Sequence, residues 1–311
     1  MINNKVVFIV GPTASGKTSL SLEIAKHFYG EIISADSMQI YKGIHIASAA
    51  PDEDEKQGIP HHLIEFLEAD STFSVADFVL LARKKIDEII SRGKLPIVVG
   101  GTGLYIDSLV DNIEFIEEKT DYELRSKLEA HMDEIGAEAM LKELSKFDKT
   151  ASEKLHPNNR RRIIRAFEVY LSTGKTITEQ NINSKNRKAD FDSLIIGINF
   201  SDREKLYERI NKRVDIMLEK GLLNEAKSTF KKGSGNGCFQ AIGHKELYKY
   251  LEDECSLEES VENLKRQTRR YAKRQITWFG RDERINWIYP DTQNNYLEKA
   301  FDLVNEFLKE E

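Results

Sequence analysis

Residues 5–18, KVVFIVGPTASGKT, join a short apolar run to a glycine-rich loop and decide the fold. The run at 5–10 is apolar and β-branched, which predicts a buried strand, and residues 16–28 have the apolar spacing of a helix. The loop between them matches G-x-x-x-x-G-K-[ST], whose backbone N–H groups surround a phosphate at the helix N-terminus. The predicted phosphate-binding residues are Gly11, Pro12, Thr13, Ala14, Ser15, Gly16, Lys17 and Thr18. Within this P-loop, Lys17 adds a positive charge and the Thr18 hydroxyl is the predicted Mg²⁺ ligand.

Short apolar strands alternate with helices beyond this loop. EIISA (31–35) and LPIVVG (95–100) are apolar strands, with a helical stretch at 74–91 between them. SLIIGINF (193–200) and INWIY (285–289) are two more. Continuous apolar strands that alternate with helices predict a parallel sheet covered on both faces.

The strand pattern is interrupted after about residue 113. Charged amphipathic segments with apolar residues three and four positions apart then run to residue 183, which predicts helices. The predicted fold class is therefore α/β, a P-loop NTPase-like parallel sheet flanked by helices, with an inserted all-helical domain. We assign residues 1–113 and 193–311 to the two parts of the core and 114–192 to the insertion.

The composition excludes several classes of protein. The 311 residues include two cysteines, Cys238 and Cys255, which are far apart and without a C-x-x-C pair. Zinc fingers, thioredoxin chemistry and a secreted disulfide framework are therefore not expected. The apolar run at 6–10 is too short for a signal-peptide core or a membrane span, and no other stretch is long enough. We predict a cytoplasmic protein with no membrane partner.

The charge of the chain is segregated. Residues 154–165 carry five basic and no acidic side chains, and residues 260–281 carry seven basic and one acidic. Since these segments carry +5 and +6 while the whole chain carries −6, the remainder carries −17. Basic segments on an otherwise acidic chain favour contact with nucleic acid, although solvated helix faces are the commoner fate of such runs.

The P-loop leaves the ligand open, because ATP, GTP and other diphosphate esters present similar oxygens to its amides. Asp36, directly after the EIISA strand, is equally ambiguous. In an ATPase or kinase, an acidic residue at the end of a neighbouring strand binds magnesium. In a transferase, the same carboxylate accepts a proton.

Six further segments identify a family. Together with the P-loop, they occur in one order over nearly the whole chain, and this ordered set resembles the bacterial-type tRNA dimethylallyltransferases, also called tRNA isopentenyltransferases or IPP transferases. The segments are ISADSMQIYKGIHIASAAP (33–51), PHHL (60–63), GGTGLY (100–105), HPNNRRRIIRAFEV (156–169), QAIGHKEL (240–247) and AKRQITWF (272–279).

The resemblance implies transfer of a dimethylallyl group from dimethylallyl diphosphate to N6 of an adenine in tRNA. The adenine is the one 3′ of the anticodon in tRNAs that read codons beginning with U. Asp36 matches the family's general base, Thr102 a position near the adenine, and Arg213 an arginine that holds the diphosphate. Arg209 is the less favoured arginine, and Thr102 has helix N-capping as its alternative role. Mg²⁺ as cofactor, a monomeric state and the tRNA anticodon stem-loop as partner complete these expectations.

A stacked adenine must be flipped out of the anticodon loop before it can react, so the protein must bind the surrounding RNA through an extended surface. The expected tRNA contacts are Asp36, Ser37, Met38, Gln39, Thr102, Arg161, Arg162, Arg165, Gln240, Gly243, Lys245, Arg266, Arg270, Lys273 and Arg274. Trp278 and Phe279 are expected either to stack on bases or to belong to the core. His61 and His62 have no third ligand at suitable spacing, which disfavours zinc.

Two departures from the family pattern affect these expectations. His244 stands where a tyrosine is common, and the stretch before it is rich in glycine, so the resemblance is weakest for the RNA contacts of 240–245. The cysteine–histidine zinc finger of eukaryotic relatives has no counterpart after Cys255, which implies a bacterial-type enzyme.

Three other functions remain open on the sequence. An adenylate isopentenyltransferase would use the P-loop and Asp36 on free AMP or ATP, without need of a helical insertion or basic segments. A P-loop small-molecule kinase predicts ATP turnover and an arginine-bearing lid. A non-catalytic RNA-binding protein would leave Lys17, Thr18 and Asp36 without a role.

Overall fold

The computed structural model describes residues 4–113, 121–184, 190–231 and 237–310. The chain divides into two compact units, one formed by Met1–Val110 with Asp190–Glu311 and the other by Asp111–Ala189. The first unit is thus built from two separate stretches of chain.

A six-stranded sheet of order β3-β2-β4-β1-β5-β6 lies at the centre of the first unit, and all its pairs are parallel. The central strand pairs on both sides, with Phe8 opposite Val98 on one neighbour and Ile195 on the other. The strands are β1 (Lys5–Val10), β2 (Gly30–Ser34), β3 (His61–His62), β4 (Leu95–Gly100), β5 (Asp192–Ile198) and β6 (Ile285–Ile288). The predicted fold class is confirmed; the two-residue β3 is an edge strand that the sequence pattern did not reveal.

Helices make up most of the remaining described chain, and α6 to α10 belong to the second unit. They are α1 (Lys17–His27), α2 (His45–Ser48), α3 (Glu53–Lys56), α4 (Val75–Ser91), α5 (Gly103–Val110), α6 (Tyr122–Ile135), α7 (Ala137–Leu144), α8 (Lys149–Lys154), α9 (Arg160–Thr173), α10 (Ile177–Ser184), α11 (Arg203–Glu219), α12 (Leu222–Phe230), α13 (His244–Leu251), α14 (Leu257–Phe279) and α15 (Tyr296–Lys309). Within the described ranges, no helix has the length and apolar character needed to cross a lipid bilayer.

The core of the first unit lies on both faces of the sheet. On one face, Val7 and Ile9 of β1 pack with Ile24 of α1 and Val304 of α15. Because side chains alternate along a strand, Phe8 points to the opposite face, where its ring stacks on that of Phe191. Every residue of β1 is buried, as expected for the central strand of a doubly covered parallel sheet.

The second unit has an apolar core of its own. Leu128 and Met132 of α6 pack in it with Met140 of α7 and Ile163 of α9. The guanidinium of Arg125 donates two hydrogen bonds, of 2.6 and 3.0 Å, to the buried carboxylate of Glu168. These hydrogen bonds join α6 to α9 within the second unit.

Candidate active site

The P-loop between β1 and α1 has a backbone shape that requires glycine. Gly11 and Gly16 have φ angles of 143° and 104°, which favour glycine over other residues. A Cβ atom on Gly11 would lie 2.2 Å from the carbonyl oxygen of Ile198, so the loop passes directly against β5. The loop continues into α1 through a hydrogen bond from Leu20 N to Gly16 O. The phosphate motif therefore has the strand-loop-helix context that it needs.

Lys17 lies at the start of α1 beside two other charged groups. Its Nζ donates a 2.7 Å hydrogen bond to the carbonyl of Pro12. Burial, followed by the positive charge of Arg213, lowers the pKa of Lys17 to about 7, and the charge of Asp36 partly opposes this shift. Burial also lowers the pKa of Arg213, with Asp36 and Glu55 opposing. Two cations held this close together with few neutralising groups form a site for an anion.

The depressed pKa of Lys17 predicts that anion binding takes up a proton. An anion favours the protonated amine and raises its pKa, so near pH 8 a largely neutral Lys17 must gain a proton when pyrophosphate binds. The affinity should therefore fall as the pH rises from 7 to 9. Calorimetry in two buffers of different ionisation enthalpy measures the number of protons taken up when pyrophosphate binds. The same measurement on Lys17→Met gives the part of this uptake that is due to pyrophosphate itself. Equal proton uptake by the wild type and Lys17→Met would contradict this prediction.

Asp36 lies at the carboxyl end of β2, in a turn against the end of β4. Its Oδ1 accepts a 2.9 Å hydrogen bond from the amide of Met38. The amide of Ser37 donates to the hydroxyl of Thr102 at 3.1 Å, and the amide of Thr102 donates to the carbonyl of Ala35 at 3.3 Å. The two strand ends meet because β2 and β4 are parallel neighbours. We call residues 35–38 and 100–102 together the acceptor turn.

A cavity of about 340 Å³ connects the P-loop with the acceptor turn. Lys17 and Thr18 line it from α1, Asp36 from the acceptor turn and Arg213 from α11. The predicted residues that line this cavity are Thr13, Lys17, Thr18, Asp36, Ser37, Met38, Gln39, Arg213, Gln240, Lys245 and Arg274. The structure thus brings together side chains from five separate stretches of sequence.

Thr102 and Gly243 lie outside the cavity lining. The hydroxyl of Thr102 contacts Ser37, which does line the cavity, so Thr102 joins the two segments of the acceptor turn. Gly243 has a φ of 117° and precedes α13, where its amide donates to Glu246. Its place in the structure is a backbone conformation that favours glycine.

The basic residues of α14 form an exposed face. Arg266, Arg270, Lys273 and Arg274 are exposed, and their spacing places them on one side of the helix. Arg274 also lines the cavity, and its guanidinium lies 5.6 Å from the ring centre of Tyr271. We call this set the basic face of α14.

Three predicted RNA-contacting arginines belong to α9 in the second unit. Arg161, Arg162 and Arg165 are exposed, whereas Ile163 and Ile164 between them are buried in that unit's core. The segment is therefore an amphipathic helix with a basic outer side.

Arg209 contacts the protein's own loop. Its Nε donates a 2.9 Å hydrogen bond to the carbonyl of Ala14, and its guanidinium lies over the ring of Phe200. Arg213, one turn later, faces the cavity. Arg209 therefore supports the P-loop, and Arg213 lines the cavity.

The apolar wall of the cavity was not apparent from the sequence. Val214 and Met217 follow Arg213 on α11, and Leu264 precedes the polar residues of α14. Ala47 and Ile242 also belong to this wall. The only available signal was spacing, since residues 213, 214 and 217 lie on one helical face.

Thr268, Tyr271 and Gln275 of α14 also line the cavity. Thr268 and Gln275 were not predicted as site residues, whereas the sequence places Tyr271 among the aromatic residues interleaved with the basic face, as base stacking would require. Leu264 and these three lie three or four positions apart, so one side of α14 is apolar at one end and polar near the P-loop. A cavity with a cationic end and an apolar wall suits an anionic ligand that carries a small hydrocarbon group.

The two adjacent histidines have different surroundings. His61 lines the cavity, its Nδ1 lies 2.8 Å from the carbonyl oxygen of Ile59, and burial lowers its pKa, so the ring is neutral at pH 7. His62 instead lies 2.7 Å from Glu31, which also accepts a hydrogen bond from Arg92. Across the described ranges, no cluster of His, Cys, Asp or Glu has the arrangement of a metal site.

His244 is fully buried and contacts protein groups. Its Nε2 lies 2.9 Å from Glu225, and its Nδ1 lies 3.1 Å from the hydroxyl of Thr229. Glu225 accepts from the amides of Ile46 and Ala47 at 2.8 and 2.9 Å. The histidine therefore helps to hold the segment that supplies Ala47 to the cavity wall.

The end of α14 packs inward. Phe279 is 2% exposed and belongs to the core, so it is not free to stack on a base. The indole Nε1 of Trp278 donates to Asp107 at 2.9 Å, and a Cβ atom on Gly103 would lie 2.3 Å from the indole ring. Of the two roles considered for Phe279, the structural one holds.

Comparisons with known proteins agree with this geometry. A sequence model of the IPP transferase family matches residues 39–282. A tRNA dimethylallyltransferase of Acetivibrio thermocellus is 53% identical over 290 residues, which covers 93% of this chain and 92% of that protein.

Solved structures give the same result. A tRNA isopentenylpyrophosphate transferase of Bacillus halodurans matches with a TM-score of 0.74 at 40% identity, covering 99% of this chain and 97% of the other. A eukaryotic dimethylallyltransferase studied acting on tRNA matches with a TM-score of 0.85 at 33% identity, covering 98% of this chain and 80% of the other. The chain belongs to the tRNA dimethylallyltransferase, or IPP transferase, family.

Proposed function

We propose that this chain transfers a dimethylallyl group from dimethylallyl diphosphate to N6 of the adenine 3′ of the anticodon, in tRNAs that read codons beginning with U. One observation carries the proposal: a single cavity contains the P-loop lysine, Arg213, an apolar wall and the carboxylate of Asp36. In prenyl transfer, the cations would bind the diphosphate, the apolar wall would contact the hydrocarbon and the carboxylate would accept the proton. A kinase has no hydrocarbon group for the apolar wall to contact.

The donor would bind with its diphosphate at the P-loop and its hydrocarbon toward the apolar wall. The loop amides, Lys17 and Arg213 are the groups that would hold the phosphate oxygens. Val214, Met217 and Leu264 line the cavity and would exclude water from the hydrocarbon side. Keeping water away matters because an allylic carbon that loses diphosphate also reacts with water.

In the chemical step, the C–N bond forms as the C–O bond to diphosphate breaks. Adenine N6 supplies the electron pair, the diphosphate leaves with the electrons of the broken bond, and the N6 proton passes to the carboxylate of Asp36. The lone pair of N6 is delocalised into the ring, so a nearby base is needed to take its proton. Lys17 and Arg213 stabilise the charge that develops on the leaving group.

Mg²⁺ is part of the proposal. Thr18 presents an exposed hydroxyl on the P-loop, and the carboxylate oxygens of Asp36 line the same cavity, so hard oxygen ligands of the kind that Mg²⁺ takes are present. Thr18 would hold the ion together with diphosphate oxygens, and the ion would supply further stabilisation of the leaving group.

The partner would be the anticodon stem-loop of tRNA. The basic face of α14 offers contacts to backbone phosphates beside the cavity, and α9 offers a second basic surface on its own unit. Met38 and Gln39 line the cavity next to Asp36, where an extruded base would enter. A monomeric, cytoplasmic enzyme completes the proposal.

The test is nucleoside mass spectrometry after incubation of unmodified tRNA, dimethylallyl diphosphate and Mg²⁺ with the protein, with AMP present as a competing acceptor. A dimethylallyl adduct on the adenine beside the anticodon, with none on AMP, is the expected result. An adduct on AMP alone would identify an adenylate isopentenyltransferase. No adduct on either, together with ATP-dependent phosphorylation of a small molecule, would identify a kinase.

Loss of charge from the basic face of α14 should weaken tRNA binding without slowing chemistry. For Arg270→Ala with Lys273→Ala, we expect tRNA affinity to fall by about tenfold or more at low salt. The slope of log affinity against log salt should become shallower by roughly 1 to 2, as expected when phosphate contacts are lost. The rate with tRNA fully bound should stay within about twofold of the wild type.

The matched control removes two positive charges from elsewhere in the same unit. Lys299→Ala with Lys309→Ala alters two exposed lysines of α15 and should leave the salt slope unchanged. Equal effects of the two double variants would show that α14 contributes only to overall charge.

A further inference from the structure

Gln275 joins two loops that follow different strands of the sheet. It is 5% exposed, and its side-chain carbonyl accepts a 2.9 Å hydrogen bond from the amide of Thr13 in the P-loop. Its side-chain N–H donates a 2.9 Å hydrogen bond to the carbonyl of Gly101 in the acceptor turn. One carboxamide thus bonds to both halves of the site, using its acceptor on one and its donor on the other.

The acceptor turn is shaped to receive this carboxamide. A Cβ atom on Gly101 would lie 2.1 Å from the Nε2 of Gln275. Gly101 does not have a positive φ angle, so a side chain at this position is opposed by the contact with Gln275 and not by backbone torsion. The side chain of Gln275 therefore occupies the space that any other residue at position 101 would fill.

Tyr271, one turn earlier on α14, adds a second link. Burial and the charge of Asp36 raise the pKa of its hydroxyl, while hydrogen bonds with Thr102 and Gln275 oppose the rise. The hydroxyl is consequently protonated throughout the working range of pH. Tyr271 and Gln275 together connect α14 to the acceptor turn on one side and the P-loop on the other.

We propose that Gln275 is a positioning residue, which fixes the P-loop relative to the acceptor turn and thereby sets the distance between the donor carbon and the adenine N6. The proposal rests on the proposed function. Gln275 bonds to both loops directly, and these loops, the P-loop after β1 and the acceptor turn after β2 and β4, would each hold one of the two reactants.

A positioning role affects the rate of transfer more than the affinities for donor and tRNA. Each loop keeps its own groups for binding when the bridge is lost, so the affinities for donor and tRNA change little. The distance and orientation between the two bound reactants change instead, and a displacement of about 1 Å can lower the rate roughly 10²-fold. A merely structural role would instead lower stability or raise the KM values.

The first test is Gln275→Met, which keeps the length of the side chain and removes both hydrogen bonds. We expect the single-turnover rate at saturating tRNA and donor to fall by about 30- to 100-fold. The donor KM and the tRNA dissociation constant should stay within about threefold, and the unfolding temperature within about 3 °C.

Gln267→Met is the matched control. This glutamine is on the same helix, and its Nε2 donates to Asn263 within that helix at 3.3 Å. The control should transfer at the wild-type rate. A wild-type rate for Gln275→Met, or a rise in KM at unchanged kcat, would overturn the proposal.

A second test uses the contact with Gly101. Gly101→Ala should displace the carboxamide and slow transfer about as much as Gln275→Ala does. In the double variant, the methyl group added at position 101 has room, so the rate should be no lower than that of Gln275→Ala alone. Losses that multiply in the double variant would mean that the two residues act separately, which contradicts the proposal.

Failure of this proposal is distinguishable from failure of the proposed function. Wild-type protein serves in the same assays: if it does not modify tRNA, the proposed function fails. If it does, and Gln275→Met matches Gln267→Met, only the positioning role fails. Should Gln275→Met unfold, Gly101→Ala still decides the question, because it displaces the carboxamide while Gln275 remains: a rate about as low as the proposal expects supports it, and a wild-type rate overturns it.

Discussion

Replacing Asp36 with asparagine is expected to lower the rate of dimethylallyl transfer by about 10²- to 10⁴-fold at saturating donor and tRNA, the usual contribution of a general base. Asparagine has nearly the same shape, and its side-chain oxygen can still accept the hydrogen bond from Met38 N that shapes the turn. An amide does not take a proton from N6, so the chemical step is slowed while the acceptor turn keeps its shape.

The charge of Asp36 has a second effect that the experiment must separate. Because it raises the pKa of Lys17, its removal lowers that pKa further and leaves less of Lys17 protonated near neutral pH, so donor affinity changes with pH in the variant. Donor affinity should therefore be compared at several pH values down to pH 6, where more of Lys17 is protonated than at neutral pH, and the transfer rate should be measured at saturating donor.

A matched control and a contrary outcome complete this experiment. Asp54→Asn, in the exposed helix α3, should transfer at the wild-type rate. Filter binding should show tRNA affinity of Asp36→Asn within about threefold of the wild type. Weak tRNA binding with a normal single-turnover rate would assign Asp36 to RNA contact and not to proton transfer.

Replacing Lys17 with methionine should have the second largest effect, a loss of about 10²- to 10³-fold in kcat/KM, as found when one preorganised donor to a developing anion is removed. Methionine keeps much of the apolar stem and deletes the ammonium group. We expect both a weaker affinity for donor or pyrophosphate and a slower single-turnover rate, because the charge acts on the bound diphosphate and on its departure.

The neighbouring helix surface offers the control for Lys17. Lys26→Met, on the exposed side of the same helix, removes an equal charge outside the cavity. It should leave the pyrophosphate affinity and the single-turnover rate near the wild-type values. Unchanged pyrophosphate affinity in Lys17→Met would contradict the assignment of the donor site to the P-loop.

The fold was largely predictable because its information is local. The strands β1, β2, β4, β5 and β6 are short apolar runs, and a buried parallel strand needs little else to be recognised. The edge strand β3 was not predictable because its two residues are histidines, which form no apolar run, although they pair with β2 in parallel. The order of strands was also beyond the sequence, since pairings such as β1 with β5 join residues almost 190 positions apart.

The site was predictable where a motif fixes the backbone and unpredictable where distant side chains meet. Gly11 to Thr18 and Asp36 follow from motif and resemblance, and the structure brings both to one cavity. Gln275 lies within a family segment but had no predicted role, because that role depends on two loops reaching it from elsewhere. His244 was expected to alter an RNA contact, but its burial against Glu225 depends on packing that spacing does not reveal.

The division of the sheet between two stretches of chain has a consequence for synthesis on the ribosome. When residues 1–110 have emerged, β1 can pair with β4, but its other edge is open until β5 is made. The intervening 111–189 take about 4–16 s to add at ~5–20 residues per second. During that interval an apolar strand edge, Lys5–Val10, is exposed to pairing with other chains. The duration of this risk is set by the translation speed through the helical segment, so slow codons there would lengthen it and chaperone binding would offset it.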